Sequence, residues 1–127
     1  MKRKKILYFS YDGLLEPLGQ SQILNYQYEI SKYYEIFIVS FEKLYDFNNL
    51  NKVNNLKKEI KDKNIYWHPL IFSDKFKLLS YIINYLKGIL LIYKISINNN
   101  INIVHCRGYV TYIIIYLLKY FFKFKII

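Results

Sequence analysis

The sequence predicts an α/β fold: a doubly wound sheet of about five parallel strands joined by crossover helices. Short apolar runs recur along the chain without the alternation of apolar and polar residues that marks a half-exposed strand. Segments of about 20 to 30 residues separate these runs, which is long enough for crossover helices. A chain of 127 residues can bury one core and is too short for two ordinary domains. We therefore expect a single domain over residues 1–127.

Five apolar runs are predicted to form the strands of this sheet. They are Ile6–Phe9, Ile36–Phe41, Ile65–Leu70, Ile101–Val104 and Phe124–Ile127. Hydrophobic residues make up 54% of the chain and aromatic residues 20%, so enough apolar surface exists for a buried core and disorder is not expected. In the usual strand order 3-2-1-4-5 of such a sheet, the first and fourth strands are neighbours.

Helices are predicted between the strands. The first begins near Gly19 to Ser21 and continues to about Tyr33, because Pro17 and Gly19 prevent an earlier start. Residues 48–62 form a shorter, more exposed helix rich in Asn and Lys. Residues 110–122 form a helix that is apolar nearly all round. Neighbours normally bury such a helix on several sides, but we expect this one to lack half of its covering layer and to leave a large apolar patch.

The stretch Lys75–Ile97 approaches the length of a membrane span. Its lysines Lys77, Lys87 and Lys94 fall within one sector of a helix at about 100° per residue, which predicts an amphipathic helix rather than a span. Two interpretations stay open: the apolar face packs against the sheet, which we favour, or it lies in a membrane interface with the lysines toward the headgroups. The apolar face comprises Leu79, Ile82, Ile83, Leu86 and Leu90.

The charge of the chain limits its partners. The formal net charge is +10, from 19 Lys and Arg residues against nine acids. Only Arg3 and Arg107 are arginines, and recognition of bases and phosphates favours arginine, so we expect no nucleic-acid partner. The lysines are explained either by an anionic membrane surface or by compositional bias with lysines on solvated faces.

We expect the chain to be cytoplasmic, either free or attached peripherally to the cytoplasmic face of the membrane. Cys106 is the only cysteine, which excludes an internal disulfide and fits a reducing compartment. The basic start precedes an apolar run of only Ile6–Phe9 before Asp12 interrupts it, which is too short for a signal peptide.

Two polar loops follow the first and fourth strands, at the edge of a parallel sheet where ligands bind. The first is SYDGLLEPLGQSQ, residues 10–22, and the second is HCRGY, residues 105–109. Because these strands are neighbours in the usual order, both loops are expected to flank one crevice. A phosphate or a sugar hydroxyl is the ligand that such loops would hold.

The first loop offers main-chain donors. Gly19 would let the backbone approach a ligand closely, and the amides of Gly19, Gln20 and Ser21 would present unpaired N–H groups at a helix start. In the alternative interpretation, Gly13 makes a turn and Ser21 caps the helix. The motifs G-x-G-x-x-G and the P-loop are both absent from the sequence.

The second loop offers side chains. We expect His105 and Arg107 to point in different directions, one toward the covering layer and the other toward the crevice. The planar guanidinium of Arg107 suits a phosphate or carboxylate, and the alternative is an ion pair with Asp12 or Glu16. A lone histidine such as His105 is more often structural than catalytic. No cluster of metal ligands exists in the sequence.

The stretches KILYFSYDGLLEPLGQSQILNY, SFEK at Ser40 to Lys43 and INIVHCRGY, together with the five-strand alternation, resemble the amino-terminal half of family 4 glycosyltransferases of the retaining GT-B group. The resemblance covers essentially the whole chain. It implies a Rossmann-like domain that binds the sugar acceptor, no cofactor, and a nucleotide sugar as the second substrate. The second, donor-binding domain of that family has no counterpart in these 127 residues.

The resemblance also implies roles for single residues. Gly19 and Gln20 match the loop that approaches the donor phosphates. Many members carry H-x-H after the fourth strand; here the first position is His105 and the second is Arg107, which puts a catalytic histidine at the second position in doubt. His105 and Arg107 are therefore the catalytic candidates. The candidates for binding donor phosphate or acceptor are Asp12, Gly13, Gly19, Gln20, Ser21, Arg107 and Gly108.

Three functional hypotheses follow. The leading one is the acceptor-binding half of a glycosyltransferase that moves a sugar from a nucleotide sugar to a glycan or lipid-linked acceptor, and that is inactive alone. The second is a non-catalytic, membrane-associated partner subunit of a separately encoded glycosyltransferase. For the leading hypothesis, a separate chain that carries the donor domain is a further possible partner. The third is a generic nucleotide-binding module, which would need an acid at the end of the second strand to hold a ribose, and Glu42 is the candidate.

Overall fold

The computed structural model describes residues 2–75 and 77–127. Its strands are β1 Lys5–Ser10, β2 Glu35–Glu42, β3 Ile65–Ile71, β4 Ile103–Arg107 and β5 Lys125–Ile126. They form one sheet in the order β3-β2-β1-β4-β5, and every pair of neighbours is parallel. The predicted fold class and strand order are confirmed: this is a Rossmann-like α/β fold.

Helices connect the strands. The first connection contains a π-helical turn, Gly19–Leu24, that continues directly into α1, Asn25–Ser31. The second contains the short α2, Leu44–Phe47, and then α3, Leu50–Lys61. The remaining helices are α4, Lys77–Asn99, between β3 and β4, and α5, Tyr109–Leu118, between β4 and β5. Asn49 caps α3, because its side chain accepts a hydrogen bond from the Lys52 amide at 3.1 Å.

The sheet has a core on each face. The helices α1 and α3 cover one face, where Tyr8, Ile38 and Trp67 belong to a buried cluster. The helices α4 and α5 cover the other face, where Phe9 and Val39 belong to a second cluster. Since β2 is covered on both sides, it is buried from residue 36 to residue 42, which explains why its sequence is continuously apolar rather than alternating.

The first helix starts earlier than predicted. Pro17 and Leu18 already have helical backbone. A proline has no N–H to leave unpaired and its φ angle is preset for a helix, so it is well suited to the first helical position. The expectation that Pro17 delays the helix was therefore wrong.

The helix α4 packs with the opposite face from the one predicted. Its buried residues include the small or polar Ser80, Asn84 and Gly88, followed by Ile92 and Ile95. The predicted packing face points away from the sheet: Leu79, Ile82, Leu86 and Leu90 are 52%, 51%, 54% and 69% exposed. The physical reason is close approach, because a Cβ on Gly88 would lie 3.1 Å from Ile114 Cδ1 and 3.2 Å from Phe9 Cζ.

The helix α5 is covered on one side within the described part of the chain. Thr111, Ile114, Ile115 and Leu118 are buried against the sheet and α4. Tyr112, Ile113, Tyr116 and Leu117 lie on the other side and are each about half exposed. The predicted apolar patch on this helix is therefore confirmed for the residues that the structure describes.

The orientation of α4 predicts that two neighbouring substitutions to alanine differ in their effect on the free energy of unfolding. Ile92→Ala should lower the free energy of unfolding by about 2–5 kcal/mol, because Ile92 is fully buried. Leu90→Ala, two residues away on the exposed side, should change it by less than about 0.5 kcal/mol. Urea unfolding followed by circular dichroism measures both values. A larger loss from Leu90→Ala than from Ile92→Ala would show that the helix packs by the face first predicted.

Candidate functional site

The loops after β1 and β4 meet at the carboxyl-terminal edge of the sheet, at the position expected for the crevice, and Arg107 joins them. Its Nε donates to Asp12 Oδ2 at 3.2 Å, and its Nη2 donates to Gln22 Oε1 at 3.3 Å. Ser10 and Arg107 are register partners at the ends of the two strands. The ion-pair alternative for Arg107 is the one that forms, with Asp12. Glu16 pairs instead with Lys43, whose Nζ lies 3.2 Å from its Oε1.

His105 and Arg107 lie on the same face of the sheet. The expectation that they point in different directions was wrong, because residues two apart on a strand share a face. The His105 ring meets Tyr8 edge-on at 4.9 Å between centroids and Tyr26 at 6.3 Å. Burial lowers the pKa of the His105 imidazole, and the charge of Arg107 lowers it further, so this ring is neutral at pH 7.

The residue between them, Cys106, belongs to the other face. It packs against the cluster under α4 and α5. Burial raises the pKa of its thiol to about 11. A thiol in that state is not a nucleophile at neutral pH.

Tyr8 adds a third partner to Arg107. The guanidinium interacts with the Tyr8 hydroxyl as well as with Asp12. Burial raises the pKa of the Tyr8 phenol, and the hydrogen bond and charge of Arg107 oppose that rise. Arg107 is therefore a fixed cross-link between β1, the first loop and the helix that follows it.

The first loop is held from beneath by Glu42, which lies at the end of β2 and is 1% exposed. Its Oε1 accepts from the Leu14 amide at 2.7 Å and from Ser40 Oγ at 2.5 Å, and its Oε2 accepts from the Leu15 amide at 3.1 Å. Trp67 extends the network to β3, since its Nε1 donates to Ser40 Oγ at 2.8 Å. The backbone N–H groups of Leu14 and Leu15, at the centre of the loop, therefore both donate hydrogen bonds to Glu42 inside the protein.

Both glycines of the first loop are required by packing within the protein. A Cβ on Gly13 would lie 2.6 Å from Glu42 Oε2, and a Cβ on Gly19 would lie 2.2 Å from the Gly13 carbonyl oxygen. The backbone that approaches Gly19 closely is therefore that of the loop itself and not that of a ligand. Gly19 is buried. The expectation of an unpaired amide at Gln20 was also wrong, because this amide donates to the Glu16 carbonyl at 3.1 Å.

Polar side chains and one open glycine remain on the rim of the crevice. Gln20, Ser21 and Gln22 are exposed. Ser21 does not cap the helix, which begins before it; its carbonyl accepts from Asn25 Nδ2 at 2.8 Å. Gly108 has a φ of +97° and nothing within 4 Å of where a Cβ would stand. It leaves room at the crevice while its carbonyl accepts from Thr111 Oγ1 at 2.8 Å.

A cavity of about 510 Å³ lies beside the crevice, at the carboxyl ends of β2 and β3. Its wall includes Lys43, Ser73, Asp74, Lys75 and Lys87. This cavity was not predicted from the sequence, although Lys43 comes soon after a predicted strand, as the two loops do.

The three lysines predicted to face a membrane differ in position. Lys77 and Lys94 are exposed. Lys87 is only partly exposed, and its Nζ donates to the Ile71 carbonyl at 3.2 Å. The assignment of Lys87 as membrane-facing was therefore wrong, because this lysine turns toward β3 and the cavity.

A metal centre has no basis in the described residues. Among residues 2–75 and 77–127, no group of three or more His, Cys, Asp or Glu side chains could hold a metal ion.

Comparison with known proteins shows similarity at the level of structure alone. The chain matches no protein-family model and no curated protein sequence. It is similar to the crystal structure of a short-chain dehydrogenase from Oenococcus oeni PSU-1, with 13% sequence identity and a TM-score of 0.48. The similarity covers 82% of this chain and 40% of the dehydrogenase.

The burial of Glu42 predicts a pH-dependent stability. Burial raises the pKa of the Glu42 carboxyl, although the hydrogen bonds from Ser40, Leu14 and Leu15 oppose the rise. The folded chain therefore binds this proton more tightly than the unfolded chain. The resulting stabilisation is present in full below the unfolded pKa and is lost as the pH rises through the folded pKa.

Urea unfolding of the native chain and Glu42→Gln between about pH 4 and pH 8 tests this effect. At neutral pH the variant should be less stable by about 1–3 kcal/mol, because an amide oxygen cannot accept all three hydrogen bonds. The free energy of unfolding of the native chain, minus that of the variant, should fall as the pH rises. A difference that grows with pH would contradict the raised pKa.

Proposed function

We propose that this chain is the acceptor-binding domain of a glycosyltransferase similar to family 4 of the GT-B group. The observation that carries the proposal is the crevice where Arg107 connects Asp12 and Gln22 across the ends of β1 and β4. This is the position at which parallel α/β sheets bind ligands. The resemblance of the YDGLLEPLGQSQ and HCRGY segments to that family supports the same function.

The composition of the crevice suits a sugar. Hydroxyl groups both donate and accept hydrogen bonds, so a sugar needs a mixture of both partners. The rim supplies the exposed Asp12 carboxylate, the Gln22 amide and the Ser21 hydroxyl. The charge of Arg107 is already balanced by Asp12, so the crevice does not present a bare cationic site.

The neighbouring cavity suits an anionic group. Lys43, Lys75 and Lys87 line it; Lys43 is paired with Glu16 and the wall also contains Asp74, which leaves an excess of positive charge. A phosphate of a lipid-linked acceptor is an anion that lysines bind as point charges. A ligand with its sugar in the crevice and its phosphate in the cavity would use both features.

A simple nucleotide-binding role is less well supported. That role requires a free carboxylate at the end of the second strand to bind ribose hydroxyls. Both oxygens of Glu42 are occupied by Ser40 and the amides of Leu14 and Leu15. Glu42 is therefore engaged in holding the loop.

In the proposed reaction this chain binds and orients the acceptor, while a nucleotide sugar supplies the transferred sugar from a second domain. Arg107 and Asp12 would fix the acceptor sugar at the crevice. The neutral His105 ring, wedged between Tyr8 and Tyr26, supports the β4 end of this surface. No cofactor is needed for the proposed role.

The proposal predicts that Arg107→Ala weakens acceptor binding. The probe is a farnesyl diphosphate-linked hexose, and farnesyl diphosphate without a sugar reports binding through the lipid alone. The ratio of the affinities for the two probes measures the contribution of the sugar. Arg107→Ala should lower this ratio at least about tenfold, as expected for losing a charged hydrogen-bond donor. Titration calorimetry measures both probes.

The matched control is Arg3→Ala. Arg3 is the only other arginine, and it contacts the Ser31 carbonyl at 3.4 Å, away from the crevice. Equal losses in the two variants would contradict the proposed site. Binding of a free nucleotide sugar without any binding of the hexose probe would contradict the acceptor role and favour a nucleotide module.

A further inference from the structure

Within residues 2–75 and 77–127, no other element covers the outer side of α4, which is an apolar surface. Its large side chains Leu79, Ile82, Leu86 and Leu90 point outward, while the inward side carries Ser80, Asn84 and Gly88. An exposed helix normally has the reverse pattern, with apolar residues inside. Contiguous apolar surface of this kind marks an interaction site.

The helix α5 extends this surface. The two helices are in contact where Gly88 faces Ile114, and Tyr93 of α4 meets the Phe121 and Phe122 rings beyond α5. A row of exposed tyrosines follows, Tyr112 and Tyr116 on α5 and Tyr120 just beyond its end, and their rings contact one another in sequence. The α4–α5 outer face is defined here as Leu79, Ile82, Leu86, Leu90, Tyr112, Tyr116 and Tyr120.

The helices of this face carry lysines and no acidic residue, and Asp74 lies before the start of α4, beside Lys77 and Tyr81. No Asp or Glu follows Asp74 in the sequence, whereas seven lysines and Arg107 do. Of these lysines, Lys77, Lys94 and Lys119 are exposed and belong to α4 or to the end of α5. The acids of the chain therefore lie outside the part of the sequence that builds the α4–α5 outer face.

We propose that the α4–α5 outer face binds an anionic membrane surface, with both helices lying parallel to the bilayer. Apolar side chains would enter the boundary between headgroups and acyl chains, as in interfacial amphipathic helices. Tyrosines are enriched at membrane interfaces, and long lysine side chains reach from an apolar surface to the headgroups. The lysine charge of these helices complements anionic lipids.

A protein partner fits this face less well, because the cores of protein interfaces are depleted in lysine and a lysine-rich face would need a matching acidic partner. The helix α4 is long and apolar enough to cross a membrane by length and composition. However, hydrogen bonds hold α4 against the rest of the fold. The Ser73 amide donates to Asn84 Oδ1 at 3.0 Å, and Asn84 Nδ2 donates to the Ser73 carbonyl at 3.1 Å. Spanning the bilayer would break these bonds.

A tryptophan placed on this face tests the proposal. Leu86 is 54% exposed on the proposed face, and Leu50 is 63% exposed on α3 at the opposite side of the sheet. The native Trp67 is the only tryptophan and is buried, so it gives a constant background. With vesicles of phosphatidylcholine and phosphatidylglycerol, Leu86→Trp should show a blue-shifted emission that brominated lipid quenches. Leu50→Trp should show neither change.

Three results would overturn the proposal. The first is equal behaviour of the two tryptophans with vesicles. The second is a blue shift of the Leu86→Trp emission without vesicles that tracks dimer formation in analytical ultracentrifugation, since the face would then bind a second copy. The third is resistance of the bound chain to alkaline carbonate extraction, which would show that α4 spans the bilayer.

The charge component is tested by removing two exposed lysines. Lys94→Ala with Lys119→Ala should lower partitioning to anionic vesicles about 25-fold, because each lysine near such a surface contributes about fivefold, or about 1 kcal/mol. The control is Lys58→Ala with Lys61→Ala, both exposed on α3. Equal losses from the two double variants, or equal partitioning of the native chain to neutral and anionic vesicles, would contradict the assigned face.

Discussion

The buried carboxylate of Glu42 ties together three parts of the molecule that are distant in sequence. It ends β2, it accepts the amides of Leu14 and Leu15 from the loop after β1, and through Ser40 it reaches Trp67 on β3. A carboxylate out of water needs several such donors to be stable. The position of the loop, and with it the crevice at Arg107, depends on this network.

The two proposals concern adjacent parts of one surface. The helix α4 begins at Lys77, close to the lysine-lined cavity, because Lys75 and Lys87 belong to the wall of that cavity. With the α4–α5 outer face on a membrane, an acceptor anchored in the same membrane would bring its phosphate toward this cavity and its sugar toward the crevice. Attachment and acceptor binding would then support each other through local concentration, although each is testable alone.

The sequence alone could predict the fold because covered parallel strands have a distinctive continuous apolar pattern. It could also predict that the loops after β1 and β4 meet, since that follows from the strand order, but it left the partner of Arg107 open between Asp12 and Glu16. It could not predict the orientation of α4, because an apolar face of Leu79, Ile82 and Leu86 normally packs inward; only the close approach at Gly88 reverses this. Nor could it predict the role of Glu42. The amides that bind its carboxylate belong to Leu14 and Leu15, which lie 28 and 27 positions away in the sequence.

Amide hydrogen exchange of Leu14 and Leu15 tests whether Glu42 holds the first loop in a fixed conformation. Because both amides donate to a buried carboxylate, they should exchange as slowly as amides in the central strand β1. Exchange at the rate of an unstructured peptide, while the β1 amides stay protected, would show instead that the loop is free.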